Sequence, residues 1–258
     1  MSLTPDGWFD WMARDPGPPE KQYFDRLSGL PLGNTATVYI PHSAVGDNYL
    51  AWRDGRLWNM TRLPDGNFTP AARASLHGWI NKSELDGCRQ HYPIWTACWS
   101  SGSFRINVNA VAFENQGGAP GNEAEPLTEY QVWANARIIQ ELSQVVGWIP
   151  QRPTSTLDLW ASLYQHNECI RFGSLPTACP SGRIPWDEII RRLEPPPMSQ
   201  EDAAELERLR NNELLLKALA DVRYILIDGP TPVTRELVAV EGDAIVHFES
   251  PVIIQLIF

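Results

Sequence analysis

The pattern of apolar and polar residues predicts β-strands in the first half of the chain. The apolar run TVYIP at residues 37–41 and the alternating segment NVNAVAFEN at residues 107–115 are typical of strands. The segment GWINK at residues 78–82 predicts a further strand, which follows a turn or short helix at residues 70–77. We therefore expect these segments to form a sheet.

A helical period appears later in the chain. In the segment TEYQVWANARIIQELSQVVG, residues 128–147, apolar residues recur at helical spacing. Thr128 is suited to cap the N-terminus of this helix, and Gly147 stands where it would end. The segment PWDEIIRRL at residues 185–193 predicts a short helix that begins with proline. Strands and helices thus alternate up to residue 193, which predicts an α/β domain.

Changes in composition mark both ends of this domain, which we expect to span residues 30–194. Residues 1–29 are rich in proline, glycine and aromatic residues and predict an irregular N-terminal arm packed on the domain. A run of three prolines predicts a linker over residues 195–198. Residues 199–258 predict a small C-terminal helix-and-strand module. Its elements are an amphipathic helix at 199–221 and the short strands RYILID, RELVAVEG, AIVHF and PVIIQLIF.

The charge balance narrows the range of partners. The chain has 258 residues, a hydrophobic fraction of 43% and a formal net charge of −10, so we expect no nucleic acid or anionic lipid as its main partner. No apolar stretch approaches the ~18 residues of a membrane span. The N-terminal segment has neither the basic nor the apolar region of a secretory signal. We therefore expect synthesis in the cytoplasm, with another exit route for any action outside the cell.

Histidine and cysteine are the candidate metal ligands. The chain has four cysteines and five histidines, and reduced cysteines in a cytoplasmic protein serve packing or metal binding. His42 directly follows the strand predicted at residues 37–41, and His166 shares a loop with Cys169 and Cys179. Because a catalytic zinc site takes three such side chains and leaves one position to water, these residues are candidates for one.

The residues alone leave two arrangements of the His166 loop open. His166 and Cys169 have the spacing of half a zinc knuckle, but a structural site of that kind needs a second closely spaced pair, which the sequence does not offer. Cys179 lies in the segment TACPSG, where proline and glycine predict a rigid turn. The turn favours Cys179 over Cys169 without excluding Cys169.

Several motifs, in their order along residues 30–193, resemble the zinc-dependent N-acetylmuramoyl-L-alanine amidases. These enzymes share the fold of peptidoglycan recognition proteins and of phage amidase endolysins. The most specific motif is His166 followed by Thr177-Ala178-Cys179-Pro180. The other motifs are His42-Ser43-Ala44 after a strand, Gly78-Trp79-Ile80, Trp99 and the segment 107–115. The resemblance implies a central mixed β-sheet flanked by helices.

The resemblance also implies roles for individual residues. His42, His166 and Cys179 match the positions of three ligands of a Zn²⁺ ion. Glu114 matches the acidic residue that closes the central strand and acts as a general base. Thr177 matches the position from which a side chain hydrogen-bonds the developing oxyanion. The resemblance therefore implies hydrolysis of the amide between the lactyl group of N-acetylmuramic acid and L-alanine.

The chain departs from the family pattern in two places. The loop from Cys169 to Pro176 is longer than in most relatives and resembles an insertion. Leu76 stands where one branch of the family has a tyrosine, which gives Glu114 more weight in the mechanism. Four further residues are candidates for substrate binding, with core packing as the alternative for each: His77, Trp79, Trp99 and Asn107.

The implied function is that of a phage or prophage endolysin whose partner is peptidoglycan, through both its glycan strand and its stem peptide. Such an enzyme is made in the host cytoplasm and reaches the wall after holin-dependent release. The alternatives are a cytosolic amidase that recycles muropeptides and a non-catalytic peptidoglycan-binding or virion-tail protein. The C-terminal module is expected either to bind the cell wall or to form a homo-oligomer, since its helix carries leucines at helical spacing.

Overall fold

Five short strands form a mixed sheet. They are β1 (Ala13–Arg14), β2 (Val38–Ser43), β3 (Gly78–Ile80), β4 (Cys88–Gln90) and β5 (Ala110–Asn115), in the spatial order β1-β4-β3-β5-β2. Strand β5 is parallel to both β2 and β3, and β1 is parallel to β4, whereas β3 and β4 are antiparallel. The predicted class, a central mixed sheet flanked by helices, is confirmed.

The computed structural model describes residues 3–24, 28, 30–69, 72, 74–193, 208, 238–241 and 244–247. The chain divides into two compact units, residues 1–194 and residues 195–258. The helices of the first unit are α1 (Tyr49–Trp52), α2 (Phe104–Asn107), α3 (Glu129–Val146) and α4 (Trp186–Arg191), with a π-helical turn at Arg53–Leu57 and 3-10 helices at Pro19–Lys21 and His166–Phe172. No helix within the described ranges is both long and apolar enough to cross a membrane.

The alternation of side chains along β2 and β5 separates two hydrophobic clusters, because successive residues of a strand point to opposite faces. Tyr39 and Phe113 belong to the larger cluster, which also holds Ile138 and Leu142 from α3. The neighbouring residues of the same strands belong to the smaller cluster on the other face, together with Leu76, Tyr164 and Cys169: these are Val38, Ile40, Ala110 and Ala112. The sheet therefore has one face covered by α3 and a second face covered by the segments that carry Leu76, Tyr164 and Cys169.

Helix α3 forms as predicted, with both predicted caps. Thr128 Oγ1 accepts a hydrogen bond from the Gln131 amide at 3.2 Å, and Gln131 Oε1 accepts one from the Thr128 amide at 3.1 Å. This reciprocal pair satisfies two amides that the helix itself leaves unpaired. Gly147 ends the helix with φ at 81°, a conformation that glycine adopts without a Cβ clash.

The N-terminal arm has more regular structure than its composition predicts. Its residues Ala13 and Arg14 form β1 and pair with β4 at the edge of the sheet. Phe9 and Met12 are buried in the core at 1% and 5% exposure, and the Phe9 amide donates to Gln90 Oε1 at 2.7 Å. The composition of residues 1–29 therefore did not reveal that part of the arm forms the edge strand of the sheet.

Two strands begin or end differently from the prediction. The strand predicted at residues 107–115 begins only at Ala110, because α2 occupies residues 104–107 and Asn109 closes its last turn with an amide hydrogen bond to the Ile106 carbonyl at 3.0 Å. The strand predicted at residues 78–82 ends at Ile80. Strand β4, only three residues long, was not predicted.

In the second unit, β6 (Val238–Glu241) and β7 (Ala244–His247) form an antiparallel pair. These strands coincide with the segments RELVAVEG and AIVHF, for which the sequence predicts strands. The predicted linker at 195–198, the predicted helix at 199–221 apart from residue 208, and the strands predicted at 223–228 and 251–258 lie outside the described residues.

Candidate metal centre and catalytic cleft

The carboxyl ends of two neighbouring strands bring His42 and Glu114 side by side. Strands β2 and β5 are parallel, and their register pairs His42 directly with Glu114. Paired residues of adjacent strands point to the same face, and here it is the face of Val38 and Ile40, opposite to α3. Ligand sites of α/β proteins commonly lie at the carboxyl ends of parallel strands. The sheet thus positions an imidazole and a carboxyl at one point on a rigid element.

His166 and Cys179 reach the same point from the loop that follows residue 165. His166 begins a 3-10 helix, and the amide of Asn167 donates a hydrogen bond to the Cys179 carbonyl at 2.8 Å, which closes the loop. The ring centroids of His42 and His166 are 4.5 Å apart, and Cys179 Sγ is 3.8 Å from His42 Nδ1. One potential ligand atom from each of these three residues lies within 4.8 Å of the others. The group can therefore hold a metal ion.

Burial sets the protonation of the three side chains. It lowers the pKa of His42 well below its usual value, and the neighbouring His166 lowers it further. Burial lowers the pKa of His166 to about 4, opposed by a hydrogen bond to the Ser101 backbone. Burial and the nearby Glu114 raise the pKa of the Cys179 thiol to about 12. Both imidazoles are thus in the neutral, metal-binding form, whereas the thiol would release its proton on binding a metal.

Hydrogen bonds from neighbouring residues hold the Cys179 sulfur and the backbone of His42 in place. The Ser43 amide donates to Cys179 Sγ at 3.2 Å, and Asn115 Nδ2 donates to the His42 carbonyl at 3.1 Å. Asn135 of α3 in turn donates to Asn115 Oδ1 at 2.8 Å. His42 Nε2 is buried and has no hydrogen-bond partner among the described residues. A buried polar atom without a partner costs about 1–3 kcal/mol.

The metal-binding group opens into a cleft of about 440 Å³. Trp52, Trp99 and Leu175 contribute apolar surface to its walls, and Arg56 is the basic side chain among its lining residues. The two predicted catalytic residues line the same cleft as the predicted ligands. The five residues that the structure brings together are His42, Glu114, His166, Thr177 and Cys179.

Glu114 is a carboxyl that is almost fully buried. It is 9% exposed, and its Oε2 has no hydrogen-bond partner in the part of the chain that the structure describes. Burial raises the pKa of Glu114 to about 8, and the cations of Arg56 and Arg183 oppose part of that rise. A carboxyl with a pKa near neutrality can both accept and return a proton at physiological pH.

The Thr177 hydroxyl takes part in a hydrogen bond within the turn that carries Cys179. Its Oγ1 accepts a hydrogen bond from the Cys179 amide at 3.2 Å, so the hydroxyl helps to shape the turn that carries the thiol. A hydroxyl has one proton to donate in addition to the lone pairs with which it accepts. Thr177 therefore retains a donor that can be directed into the cleft.

No protein-family model and no curated protein matches this chain. Solved structures of amidases and endolysins are similar to it. The endolysin N-acetylmuramoyl-L-alanine amidase LysCS from Clostridium intestinale URNW has 16% identity and a TM-score of 0.45, over 70% of this chain and 94% of its own. The hydrolase AmiA of Staphylococcus aureus has 13% identity and a TM-score of 0.44, over 70% of this chain and 80% of its own. The Ph2119 endolysin from Thermus scotoductus MAT2119 bacteriophage Ph2119 has 14% identity and a TM-score of 0.38, over 64% of this chain and 90% of its own.

Of the four candidates for substrate binding, the structure places Trp99 alone among the lining residues of the cleft. His77 is fully buried, where its Nδ1 accepts from the Ala112 amide at 3.1 Å and its Nε2 lies 2.9 Å from the Thr96 carbonyl. Trp79 is also fully buried, and its Nε1 donates to Asn81 Oδ1 at 2.8 Å. Asn107 is 1% exposed and accepts from the Ser101 amide at 2.9 Å. These three residues pack the interior instead of facing the cleft.

Cys169, the rival ligand, lies away from the metal-binding group. It is fully buried within the smaller hydrophobic cluster, and its Sγ contacts the Gln165 carbonyl at 3.5 Å. Burial raises the pKa of its thiol to about 12, as it does for Cys179, so the two thiols differ in position and not in acidity. The compact His166–Cys169 pair is therefore not the arrangement in this structure.

A larger concavity of about 680 Å³ lies elsewhere, on the outer surface of α3. It contains Arg137, Glu141 and Arg192, and Arg137 Nε donates to Glu141 Oε1 at 2.9 Å. Its lining residues include neither histidine nor cysteine. It therefore lacks the chemistry of the cleft, despite its size.

Sequence reasoning missed two arginines that act on Glu114. Arg56 follows the unpredicted helix α1, and Arg183 stands four residues after Cys179 in a segment that the motif itself does not include. Both lower the pKa of Glu114. The sequence signal available for Arg183 was its place immediately after the turn TACPSG, but nothing in that pattern predicts a buried cation.

Proposed function

We propose that this chain is a zinc-dependent N-acetylmuramoyl-L-alanine amidase that degrades peptidoglycan as a phage or prophage endolysin. The observation that carries the proposal is the convergence of His42, His166 and Cys179 on one cleft that also contains Glu114. Two imidazoles, one thiol and one separate carboxyl are the set that the family resemblance implies. They come from residues far apart in the chain, which makes a chance grouping a poor explanation.

The chemistry of the donor set fits zinc. Two nitrogen ligands and one sulfur ligand are typical of this ion, and a site with three protein ligands is typical of catalytic zinc. His42 Nδ1 lies 3.8 Å from Cys179 Sγ, a separation at which a nitrogen and a sulfur can share one zinc ion. When bound, the zinc would supply a Lewis acid that polarises a carbonyl oxygen and makes a water more acidic.

Glu114 would act as the general base and then as the general acid. Its carboxyl lies beside His42 at the strand ends, and burial holds its pKa near neutrality. In its ionised form it would accept the proton of the attacking water. It would then return that proton to the amine of L-alanine, so that the leaving group departs uncharged.

Thr177 and the cleft walls would orient the substrate. The Thr177 hydroxyl would donate a hydrogen bond to the oxygen on which negative charge develops. Trp52 and Trp99 offer aromatic surface for sugar or peptide, and Arg56 offers a positive charge for carboxylates of the stem peptide. The ligand is accordingly peptidoglycan, with parts of both glycan strand and peptide in the cleft. We place the site of action at the cell wall, after synthesis in the host cytoplasm and holin-dependent release.

The experiment combines metal analysis with digestion of purified cell walls. We expect the purified protein to contain about one zinc per chain and to release stem peptides with a new N-terminal alanine. A chelator should abolish the release and zinc should restore it. Glu114→Gln should keep its zinc and lose most of the release, because the amide accepts no proton; a general base typically contributes 10²–10⁴-fold. A zinc-loaded Glu114→Gln protein with undiminished activity would contradict the assignment of the base.

The rival functions give different outcomes in the same assay. A recycling amidase would cleave soluble muropeptides but leave intact walls undigested. A non-catalytic binding or virion-tail protein would sediment with walls and release no peptide, and Glu114→Gln would then change nothing. New reducing sugar ends, in place of alanine amines, would show that a glycosidic bond is cut and would overturn the proposal.

A further inference from the structure

We propose that Arg183 is a positioning residue for the metal centre. Its guanidinium joins the ends of the two strands that carry His42 and Glu114, immediately behind the turn that carries Cys179. This inference rests on the proposed metal-dependent function and assigns Arg183 a part in it. Arg183 lines no part of the cleft and is 2% exposed, so it acts through other residues.

The guanidinium donates hydrogen bonds to four oxygens on three segments of the chain. Nη1 donates to Ser43 Oγ at 2.8 Å and to the Asn115 carbonyl at 3.3 Å. Nη2 donates to the Gln116 carbonyl at 2.8 Å, and Nε donates to the Glu125 carbonyl at 2.6 Å. Ser43 is the last residue of β2 and Asn115 the last of β5. One planar group therefore sets the spacing between the two strand ends.

Ser43 connects this clamp to the metal ligands. Its side chain accepts from Arg183, while its amide donates to Cys179 Sγ at 3.2 Å. It also follows His42 directly in the chain. A shift of Ser43 would therefore move the sulfur and the imidazole relative to each other. Contacts of this kind behind metal ligands typically contribute about 10- to 100-fold to metal affinity.

The loop after β5 is shaped around the guanidinium. Gly117 and Gly118 have φ of 104° and 68°, in the region that favours glycine. A Cβ on Gly117 would lie 2.6 Å from Arg183 Nη2, and one on Gly118 would lie 3.1 Å from Nη1 and 2.4 Å from Ser43 Oγ. Two successive glycines thus allow the backbone to approach Arg183 more closely than other residues would.

The arrangement cannot be explained as an ordinary ion pair. No carboxylate lies within salt-bridge distance of Arg183 among the described residues, since the Glu125 carboxylate pairs with Lys82 Nζ at 2.6 Å and accepts from the Gly118 amide at 3.0 Å. A buried charge without an ion partner is costly, and the four hydrogen bonds need the planar fork of arginine. Lysine, with a single nitrogen, cannot reach the same acceptors together.

The test measures zinc affinity by competition with a chelator in the full-length chain, for the wild type, Arg183→Lys and Arg183→Met. We expect both variants to bind zinc about 10- to 100-fold more weakly, with Lys the milder change. Zinc should also raise the melting temperature of each variant by less than it raises that of the wild type, because the stabilisation by a ligand depends on its affinity. Cobalt in place of zinc should show a weaker thiolate-to-metal absorption band in both variants, since the position of Cys179 Sγ is altered.

A matched variant separates positioning from general stability. Ile189→Ala removes a fully buried side chain from α4, which should destabilise the chain without changing zinc affinity or the cobalt spectrum. Ser43→Ala removes only the hydroxyl link, and we expect a smaller loss of zinc affinity that does not add to that of Arg183→Met.

The role of Arg183 and the proposed function would be contradicted by two different results. If the wild type binds zinc tightly and the Arg183 variants bind it equally well, Arg183 is not a positioning residue, and the proposed function stands. If the wild type itself binds no zinc, the proposed function fails first.

Discussion

At the scale of single residues, the cleft contains groups that a stable interior would not select. Glu114 Oε2 and His42 Nε2 are both buried without hydrogen-bond partners in the described part of the chain. Burying such atoms lowers the free energy of unfolding, because the unfolded chain can hydrate them. They persist beside each other at the ends of β2 and β5, where the proposed chemistry requires them. Stability and function therefore oppose each other at this pair.

Replacing Glu114 by glutamine should show how much the buried carboxyl lowers the free energy of unfolding. The pKa of the folded-state carboxyl is raised from 4.5 to about 8, so between those values the unfolded chain has lost a proton that the folded chain keeps. The stability of the wild type should therefore fall as the pH rises through this window, and the Gln variant should lack that fall. We expect Glu114→Gln to match the wild type near pH 4 and to exceed it at pH 8, by an amount on the order of a few kcal/mol.

Chemical denaturation of both proteins at the two pH values, in the presence of a chelator, provides the measurement. The remaining titrating groups are common to both proteins, so the difference between them reports Glu114. Equal stabilities at pH 8 would show that the carboxyl is solvated or paired in solution. Glu114→Ala is not a suitable comparison, because it adds a cavity to the loss of charge.

The two cysteines of the 166–179 loop offer a matched pair of substitutions. Cys179→Ser should lose most of its zinc, because a hydroxyl is a far poorer ligand than a thiolate for this ion. Cys169→Ser should keep zinc and instead lower the melting temperature, because it buries a hydroxyl in the smaller hydrophobic cluster. Metal analysis and thermal unfolding of both variants check this. Retained zinc in Cys179→Ser together with lost zinc in Cys169→Ser would reverse the ligand assignment.

At the scale of elements, the sequence predicts best where local interactions decide the structure. Helix α3 has its periodicity, its Thr128 cap and its Gly147 terminus within one segment, and all three form as predicted. Strand β4 has three residues and is defined by its pairing with β3 and β1, so no local pattern reveals it. Asn107 illustrates the same limit. It was predicted to begin a strand, but it is the last residue of α2, and its side chain accepts hydrogen bonds from the amides of Ser100 and Ser101.

The candidate site follows the same division. The ligands stand in motifs that can be recognised, at a strand end and in a turn. The register of β3 pairs Trp79 with Glu114 on the same face of the sheet, but Tyr49 and Trp52 of α1 pack against the Trp79 ring, and Trp52 lines the cleft. The sequence does not predict α1, so it does not reveal that Trp79 is covered. Arg183 depends on four acceptors from distant segments. Side chains that serve through tertiary contacts are therefore the ones that sequence reasoning misses.

The cap of α3 gives a prediction at this scale. Thr128 Oγ1 accepts from the Gln131 amide at 3.2 Å and donates to the Lys82 carbonyl at 2.7 Å, so Thr128→Ala removes both a cap and a link to the end of β3. We expect a loss of about 1–2 kcal/mol in the free energy of unfolding, with zinc affinity unchanged. Thr128→Ser keeps the hydroxyl and should lose much less. Equal losses for Ala and Ser would mean that the methyl group, rather than the hydroxyl, stabilises the helix start.

At the scale of the whole molecule, the two units differ in what they contribute. Among the described residues, those that line the cleft all lie before residue 180, and the clamp of Arg183 lies within residues 1–194 as well. In the second unit the structure describes the β6–β7 pair, whose residues are not among them. We therefore interpret residues 199–258 as a module that determines where or in what assembly the first unit acts, by binding the wall or by forming a homo-oligomer.

Removal of residues 195–258 tests this division of roles. The truncated chain should bind zinc with unchanged affinity and cleave soluble muropeptides at the wild-type rate, because its cleft is complete. If the module forms an oligomer, which we propose, sedimentation should show self-association for the full chain and a monomer after truncation. A full chain that is already monomeric, and whose truncation instead weakens its cosedimentation with purified walls, would assign the module to wall binding. Lost zinc affinity in a folded truncated chain would contradict the independence of the first unit, since it would mean that the second unit supports the metal centre.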